Sequence, residues 1–193
     1  MKYLTLILIG IALILFWILI SKPIDSRPNT VIMREILGNL NYEHVHHSTI
    51  PQNKTFIIER GKSVGEQLSC QAFENILGYK IKKSYRGNEL KNPKTGRNLE
   101  LDCYDPITNT AIEYNGIQHY EYPNVFHKSR HDFNTQISHD RYKNEVCCNL
   151  NRKLITIPYI VDTCEFKNGR YTPKKFTHQE RYKKLYSYIQ SHL

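Results

Sequence analysis

The stretch "LELDCYDPITNTAIEYNGIQHY", Leu99 to Tyr120, decides the fold. Two strand-like runs flank a turn from Asp105 to Thr110, where Asp-Pro and Asn-Thr supply turn chemistry. Successive strand residues point to opposite faces. Leu99, Leu101 and Cys103 therefore share one face, and Glu100, Asp102 and Tyr104 share the other. In the second run Ile112 and Tyr114 oppose Ala111, Glu113 and Asn115. Closing the turn sets Cys103 across from Ile112 and Asp102 across from Glu113. The expected hairpin has an apolar side and an acidic side.

Two carboxylates opposed across a sheet repel each other. A divalent cation is one answer, because Mg²⁺ takes oxygen ligands from one or two carboxylates and keeps positions for water and phosphate. A solvated sheet face is the other. Glu66, on the preceding helix, supplies a third carboxylate if that helix packs near the hairpin. Ser63-x-x-Glu66 also reads as a capping box, which accounts for the acid without a metal. Farther along, Asp140 and Lys143 stand three apart on one helix face, either as an ion pair or as two groups offered to the site.

Outward from the hairpin, apolar spacing predicts a helix over 63–77 stopped by Gly78, a strand over 79–85, and strands over 98–104 and 110–115. A helix over 135–150, a strand over 154–158 and a last helix over 176–193 follow, the last with Tyr182, Leu185, Tyr186 and Ile189 on one side. This order specifies an α/β fold, a small sheet with helices on its faces. The strand after the second main helix enters parallel to a neighbour.

Tyr3 to Ile20 is eighteen residues without a charge, long enough as a helix to cross most of a ~30 Å hydrocarbon layer. The expectation is an uncleaved single-pass anchor over 1–22, a juxtamembrane linker over 23–59 and a globular domain over 60–193. "EHVHH" at Glu43 to His47 lies in the linker and reads as solvated, since no second ligand cluster supports a metal. Five cysteines without a CxxC pair or regular spacing argue against a disulfide scaffold and a structural zinc site. Cys103 is expected to be a small core residue. A reducing compartment follows, with the globular domain on the cytosolic side. The formal charge of +9 favours a polyanionic partner, nucleic acid or an anionic membrane surface.

Taken in order, "SVGE", "LELDCY", "AIEYNGIQHY", "DRYK" and "KLITIPY" resemble the PD-(D/E)XK nuclease superfamily, in its restriction-endonuclease-like group with the very-short-patch-repair and DUF559-type proteins. The likeness spans about Lys62 to Tyr159. It implies a core of helix, three strands, helix and strand, and a Mg²⁺- or Mn²⁺-dependent endonuclease acting on DNA. It further implies that Asp102 and Glu113 bind the metal, that Glu66 completes the site, and that Gln118 and His119 face the scissile phosphate. The family places Lys two residues after the second acid, where this chain has Asn115. In several branches a neighbouring helix supplies the amino group, and Lys143 is the candidate here.

Lys80, Lys82, Lys83, Arg86, Lys91, Lys94 and Arg97 precede the hairpin and read either as phosphate contacts or as the solvated edge of a sheet. Two rivals to an active enzyme stand beside it: an inactive nuclease-fold module that binds nucleic acid, and an anchored protein whose basic surface meets anionic lipid.

Overall fold

The computed structural model describes residues 55–193, and within them Leu99–Tyr120 forms a hairpin in the register expected from its turn. Cys103 pairs with Ile112, Tyr104 with Ala111 and Asp105 with Thr110. These pairs join β2 (Leu101–Asp105) to β3 (Thr110–Asn115). Asp105 builds the turn, its carboxylate accepting from the Ile107 and Thr108 amides at 3.1 and 3.0 Å and from the Thr108 hydroxyl at 2.6 Å. β1 (Lys82–Tyr85) lies antiparallel to β2, and β4 (Lys153–Pro158) lies parallel to β3. The result is a four-stranded mixed sheet in the order β1-β2-β3-β4.

Helices cover both faces. On one, α1 (Val64–Leu77) buries Leu68, Ala72 and Phe73, and α4 (His178–His192) buries Tyr182, Leu185, Tyr186 and Ile189. Cys103, Ile112 and Tyr114 belong to this face. α1 comes so close to β3 that a Cβ on Gly65 would fall 2.0 Å from Tyr114 Cζ. On the other side Leu90, Leu101, Tyr104, Ala111 and Cys147 of α2 (Arg130–Asn149) form a second cluster with Leu99 against it, so Leu99 and Leu101 pack with Tyr104 and not with Cys103 as the alternation predicts.

Tyr114 is held at its far end as well. Its hydroxyl donates to Asp162 Oδ1 at 2.8 Å, while Arg181 of α4 holds Asp162 Oδ2 at 2.7 Å. Asp162 is fully buried. Burial pushes its carboxyl pKa up, against the pull of Arg181 and Tyr114. A buried charge of this kind persists only because it is paired.

Four further expectations need correction. Cys70 of α1 and Cys103 of β2 form a disulfide, so Cys103 is not a plain core thiol. The argument for a reducing compartment loses its premise, because a pair made by helix-on-strand packing leaves no regular spacing in the sequence. α2 begins at Arg130, five residues before the expected start, because Ser129 and Asp132 make a reciprocal capping box. β1 and β2 begin at Lys82 and Leu101, each three residues later than expected; Asn98 instead makes an isolated bridge with Lys91. Finally, a short helix α3 (Ile160–Thr163) and a hairpin of β5 (Cys164–Lys167) and β6 (Arg170–Pro173) stand between β4 and α4. The hairpin turns on Asn168-Gly169, both at positive φ (51° and 73°), which is what a two-residue turn between twisted strands requires.

The expected anchor over 1–22 and nearly all of the linker over 23–59, His-rich segment included, lie outside the described residues. Among the described residues no helix is long and apolar enough to cross a membrane.

Candidate active site

The β2–β3 ladder stops at Cys103–Ile112, and beyond that pair the carboxylates take over the cross-strand hydrogen bonds. The Asp102 amide donates to Glu113 Oε1 at 3.2 Å, and the Tyr114 amide donates to Asp102 Oδ2 at 2.8 Å. The two acids expected to oppose each other therefore do so where the strands part. A cavity of about 500 Å³ opens there, lined by Glu66, Glu100, Asp102, Glu113, Gln118, His119 and Lys143 among others. All six residues singled out as catalytic from the sequence line it.

α1 delivers Glu66. Ser63 Oγ accepts from the Glu66 amide at 3.4 Å, but the return bond of a capping box is not made; α2 and α4 both have complete boxes. The Glu66 side chain is turned instead towards the strands. Glu66, Glu100 and Asp102 each bring one oxygen within 4.8 Å of the others. Burial, with Asp102 and Glu100 beside it, pushes the Glu66 carboxyl up to about 7. Glu100 also accepts from Arg86 Nε at 2.6 Å.

α2 delivers Lys143. Its ammonium contacts Glu113 Oε2 and donates to the Glu100 carbonyl at 3.3 Å. Burial disfavours the ammonium, but Glu113, Asp140 and Asp102 outweigh it and hold the Lys143 pKa above its usual value. Glu113 and Asp102 are raised, first by their own burial. Asp102 adds to the rise at Glu113, while the Tyr114 amide and Lys143 restrain it at Asp102. Three carboxylates thus face one ammonium, with Glu100 already paired to Arg86. The excess negative charge is offset by protons or by a further cation. An all-oxygen set with this excess fits Mg²⁺ or Mn²⁺, which favour carboxylate ligands.

His119 sits in a one-turn 3₁₀ segment, Ile117–His119, directly after β3. Its Nδ1 lies 2.7 Å from Asp140 Oδ2, and Gln136 Nε2 donates to Asp140 Oδ1 at 3.0 Å. With Asp140 as its acceptor Nδ1 carries the proton and Nε2 is left for exchange; Gln136 Nε2 lies 3.3 Å from the same Nδ1. Asp140 thus pairs with His119, not with Lys143. Gln136, Asp140 and Lys143 follow the i, i+4, i+7 spacing that a helix ordinarily gives to its core. Here buried Phe133 and Cys147 bracket a polar stretch of that stripe, aimed at the cavity.

Asn115, at the position where the resemblance leads one to expect Lys, is buried and bonded to the Tyr120 phenol. Glu100, Gln136, His139 and Phe126 line the cavity without having been named as site residues from sequence, and Asp140, noted there only beside Lys143, supports His119. The polar stripe on α2 is the signal that finds two of them. Of the basic residues before the hairpin, Lys80 and Lys83 pair with Glu74, and Arg86 with Glu100. Lys91, Lys94 and Arg97 are exposed and carry no ion pair among the described residues.

No family model matches the chain, and no solved structure matches it. Curated viral proteins do. Over 105 residues, 54% of this chain and 67% of the relative, it is 47% identical to "uncharacterized protein 094L" of frog virus 3 (isolate Goorha). It is 42% identical over 81 residues to "uncharacterized protein 307L" of invertebrate iridescent virus 6, and 39% identical over 72 residues to "uncharacterized protein 033L" of invertebrate iridescent virus 3. Those two matches cover 41% and 37% of the relatives' own lengths. On the extent and identity of the first match, the chain belongs to the same family as protein 094L of frog virus 3.

Proposed function

We propose that this chain is a divalent-metal-dependent endonuclease that hydrolyses phosphodiester bonds of DNA, with a restriction-endonuclease-like core. One observation carries the reading. Lys143, from a helix, meets Glu113 beside Asp102, which supplies the ammonium that Asn115 does not. Four separate parts of the chain, α1, the β2–β3 hairpin, the turn after β3 and α2, converge on one cavity with the groups this chemistry needs.

Glu66, Glu100 and Asp102, whose oxygens lie within 4.8 Å of one another, are the residues that would hold the ion, while Glu113, expected from the resemblance to share it, is engaged by Lys143 and the Asp102 amide. When bound, a divalent cation neutralises phosphate charge and acidifies water. The chain's own groups do the rest. Water oxygen bonds to phosphorus as the bond to the leaving sugar oxygen breaks, so one proton must be taken from the water and one delivered to the leaving group. His119 Nε2, its tautomer fixed by Asp140, exchanges such a proton. The Lys143 ammonium stabilises the charge that builds on the phosphate oxygens, in a site where water is partly excluded. Gln118 offers an amide to phosphate or water. A Cβ on Gly116 would lie 2.4 Å from Gln118 Oε1, so the glycine lets that side chain fold back towards the backbone.

The test incubates the full chain, held in detergent, with plasmid DNA and Mg²⁺, Mn²⁺ or a chelator. Metal-dependent nicking that is lost in Asp102→Ala supports the reading. Retention on DNA without cleavage under every metal replaces it with an inactive binding module.

A further inference from the structure

Two of the acids that would hold the ion stand on elements joined by a covalent bond. Glu66 and Cys70 are four residues apart in α1, one turn along the same face. Cys103 follows Asp102 directly in β2, and Cys70 Sγ, bonded to Cys103, lies 3.5 Å from the Asp102 carbonyl oxygen. A second cavity, of about 360 Å³, is lined by Ile57, Glu59, Gln67, Cys70, Gln71 and Lys80 among others. Gln67 and Gln71 tie the chain before α1 to that helix: the Glu59 amide donates to Gln67 Oε1 at 2.7 Å, and Gln71 Nε2 donates to the Ile57 carbonyl at 3.0 Å. Ile57 and Lys80 are exposed, so this cavity is open to solvent. Glu66 lines both it and the cavity that holds Asp102, Glu113 and Lys143.

We propose that the Cys70–Cys103 bond is a redox switch on the metal site, in which the cystine holds Glu66 beside Asp102 and reduction by a small dithiol lets the two acids part. The proposal rests on the endonuclease reading above and names a regulation of that site. Burial sets the route of the reductant. Cys103 is fully buried, whereas Cys70, 3% exposed, opens on the second cavity. A thiolate of the reductant therefore bonds to Cys70 Sγ, and the Cys103 sulfur leaves and takes up a proton. The second thiolate of the reductant then displaces Cys70 Sγ, which is protonated in turn, and the reductant departs as its own disulfide. Two electrons pass to the protein. The dithiol needs more room than the cystine, because bonded sulfurs stand well inside the ~3.5–4.0 Å at which unbonded atoms meet. Leu68, Ala72 and Phe73 are fully buried around Cys70, so that room comes from moving α1 off β2. Lys143 and His119 ride on α2 and on the turn after β3, tied to neither cysteine, and keep their places. The effect falls on the ion's ligands. Cys147, Cys148 and Cys164 are free thiols, so the bond is not part of a scaffold in which every cysteine is closed. Where thiols persist, a lone disulfide is usually transient or redox-sensing.

The experiment uses the full chain in detergent as Cys148→Ser, which keeps the exposed thiol from crosslinking copies. One sample is treated with oxidised glutathione, the other with dithiothreitol that is then removed without air. Alkylation and mass measurement count the free thiols in each, and urea unfolding shows whether each is folded. Mn²⁺ affinity is read from the paramagnetic resonance of free Mn²⁺, and cleavage from plasmid nicking. The dithiol should bind Mn²⁺ roughly tenfold or more weakly, the order seen when a group that orients a metal ligand is lost. Nicking at subsaturating Mn²⁺ should fall with it, and reoxidation should restore both. Cys70→Ser/Cys103→Ser should behave as the dithiol whether or not reductant is added. An equal Mn²⁺ Kd in two folded states overturns the switch and leaves the endonuclease reading standing. A dithiol that does not fold makes the bond a staple and also overturns the switch. Mn²⁺ binding that weakens on reduction, with no nicking in either state, supports the switch and overturns the endonuclease reading. Absence of Mn²⁺ binding in both states overturns both.

Discussion

Gly65→Ala is the smallest change that should displace the helix acid. Gly65 lies in the first turn of α1 with ordinary helical φ, so the backbone accepts alanine, and helix propensity alone favours it by up to ~1 kcal/mol. Packing opposes it. The new methyl would stand 2.0, 2.3 and 2.4 Å from Cζ, Cε1 and Cε2 of Tyr114, where ordinary contact begins at 3.4 Å. The ring cannot swing aside cheaply, because its hydroxyl is bound to buried Asp162. The helix must therefore back away by roughly 1 Å or more, against the Cys70–Cys103 bond one turn farther on. Overpacking of this kind costs about 1–3 kcal/mol, which outweighs the propensity gain. In the proposed cleavage, a shift of ~1 Å in the Glu66 carboxylate should lower the rate by about 10²-fold. Urea unfolding reads the first effect and single-turnover cleavage the second. Trimming the ring in Gly65→Ala/Tyr114→Leu should make the two costs less than additive. A Gly65→Ala protein as stable and as active as wild type would refute the close approach of α1 to β3.

Lys143→Met should slow cleavage by about 10²–10³-fold, as loss of a donor to transition-state charge does, with DNA affinity little changed. Asn115→Lys in that background should restore part of the rate, and full activity of Lys143→Met alone would remove the ammonium from the mechanism. Its stability cost should fall short of the ~3–5 kcal/mol of a stranded buried charge, because Glu113 keeps the Asp102 amide and its raised pKa lets it take up a proton. At Glu74, burial raises the carboxyl pKa, but Lys80 and Lys83, at 3.0 and 3.2 Å, more than offset that and leave it below its usual value. A lowered pKa contributes stability above the unfolded value, near 4.5, which is lost as pH falls through the folded one. Glu74→Gln should therefore unfold at lower urea than wild type at neutral pH, by ~1 kcal/mol or less since both lysines are largely solvated, and the gap should close in acid.

What could be read in the sequence was local. The alternation around Asp102 and Glu113 set their register, because strand period and turn chemistry are both short-range. Ser63 and Gly78 marked the ends of α1 for the same reason. The sequence could not show whether Glu66 would close its capping box, since that choice depends on two carboxylates more than thirty residues away. Nor could it reveal the Cys70–Cys103 pairing, which exists only once α1 lies on β2. The β5–β6 hairpin is a different case. Asn168-Gly169 is a strong turn signal, but the strands beside it are short and polar, so their alternation is weak. Asp140 looked like a partner for Lys143 because helix spacing is visible and tertiary approach is not; His119 reached it from the turn after β3.

The bond between Cys70 and Cys103 has a thermodynamic side separate from the positioning of α1. It spans 33 residues of sequence, including β1 and the lysine-rich loop. Closing a loop of that size removes disorder from the unfolded chain worth roughly 3–4 kcal/mol, against a total stability of about 5–15 kcal/mol for an ordinary domain. The same sequence therefore has two stabilities, one as a dithiol and one as a cystine, and the difference is as large as most single substitutions could produce. An unfolding midpoint for this protein describes a molecule only when the state of that one bond is given with it.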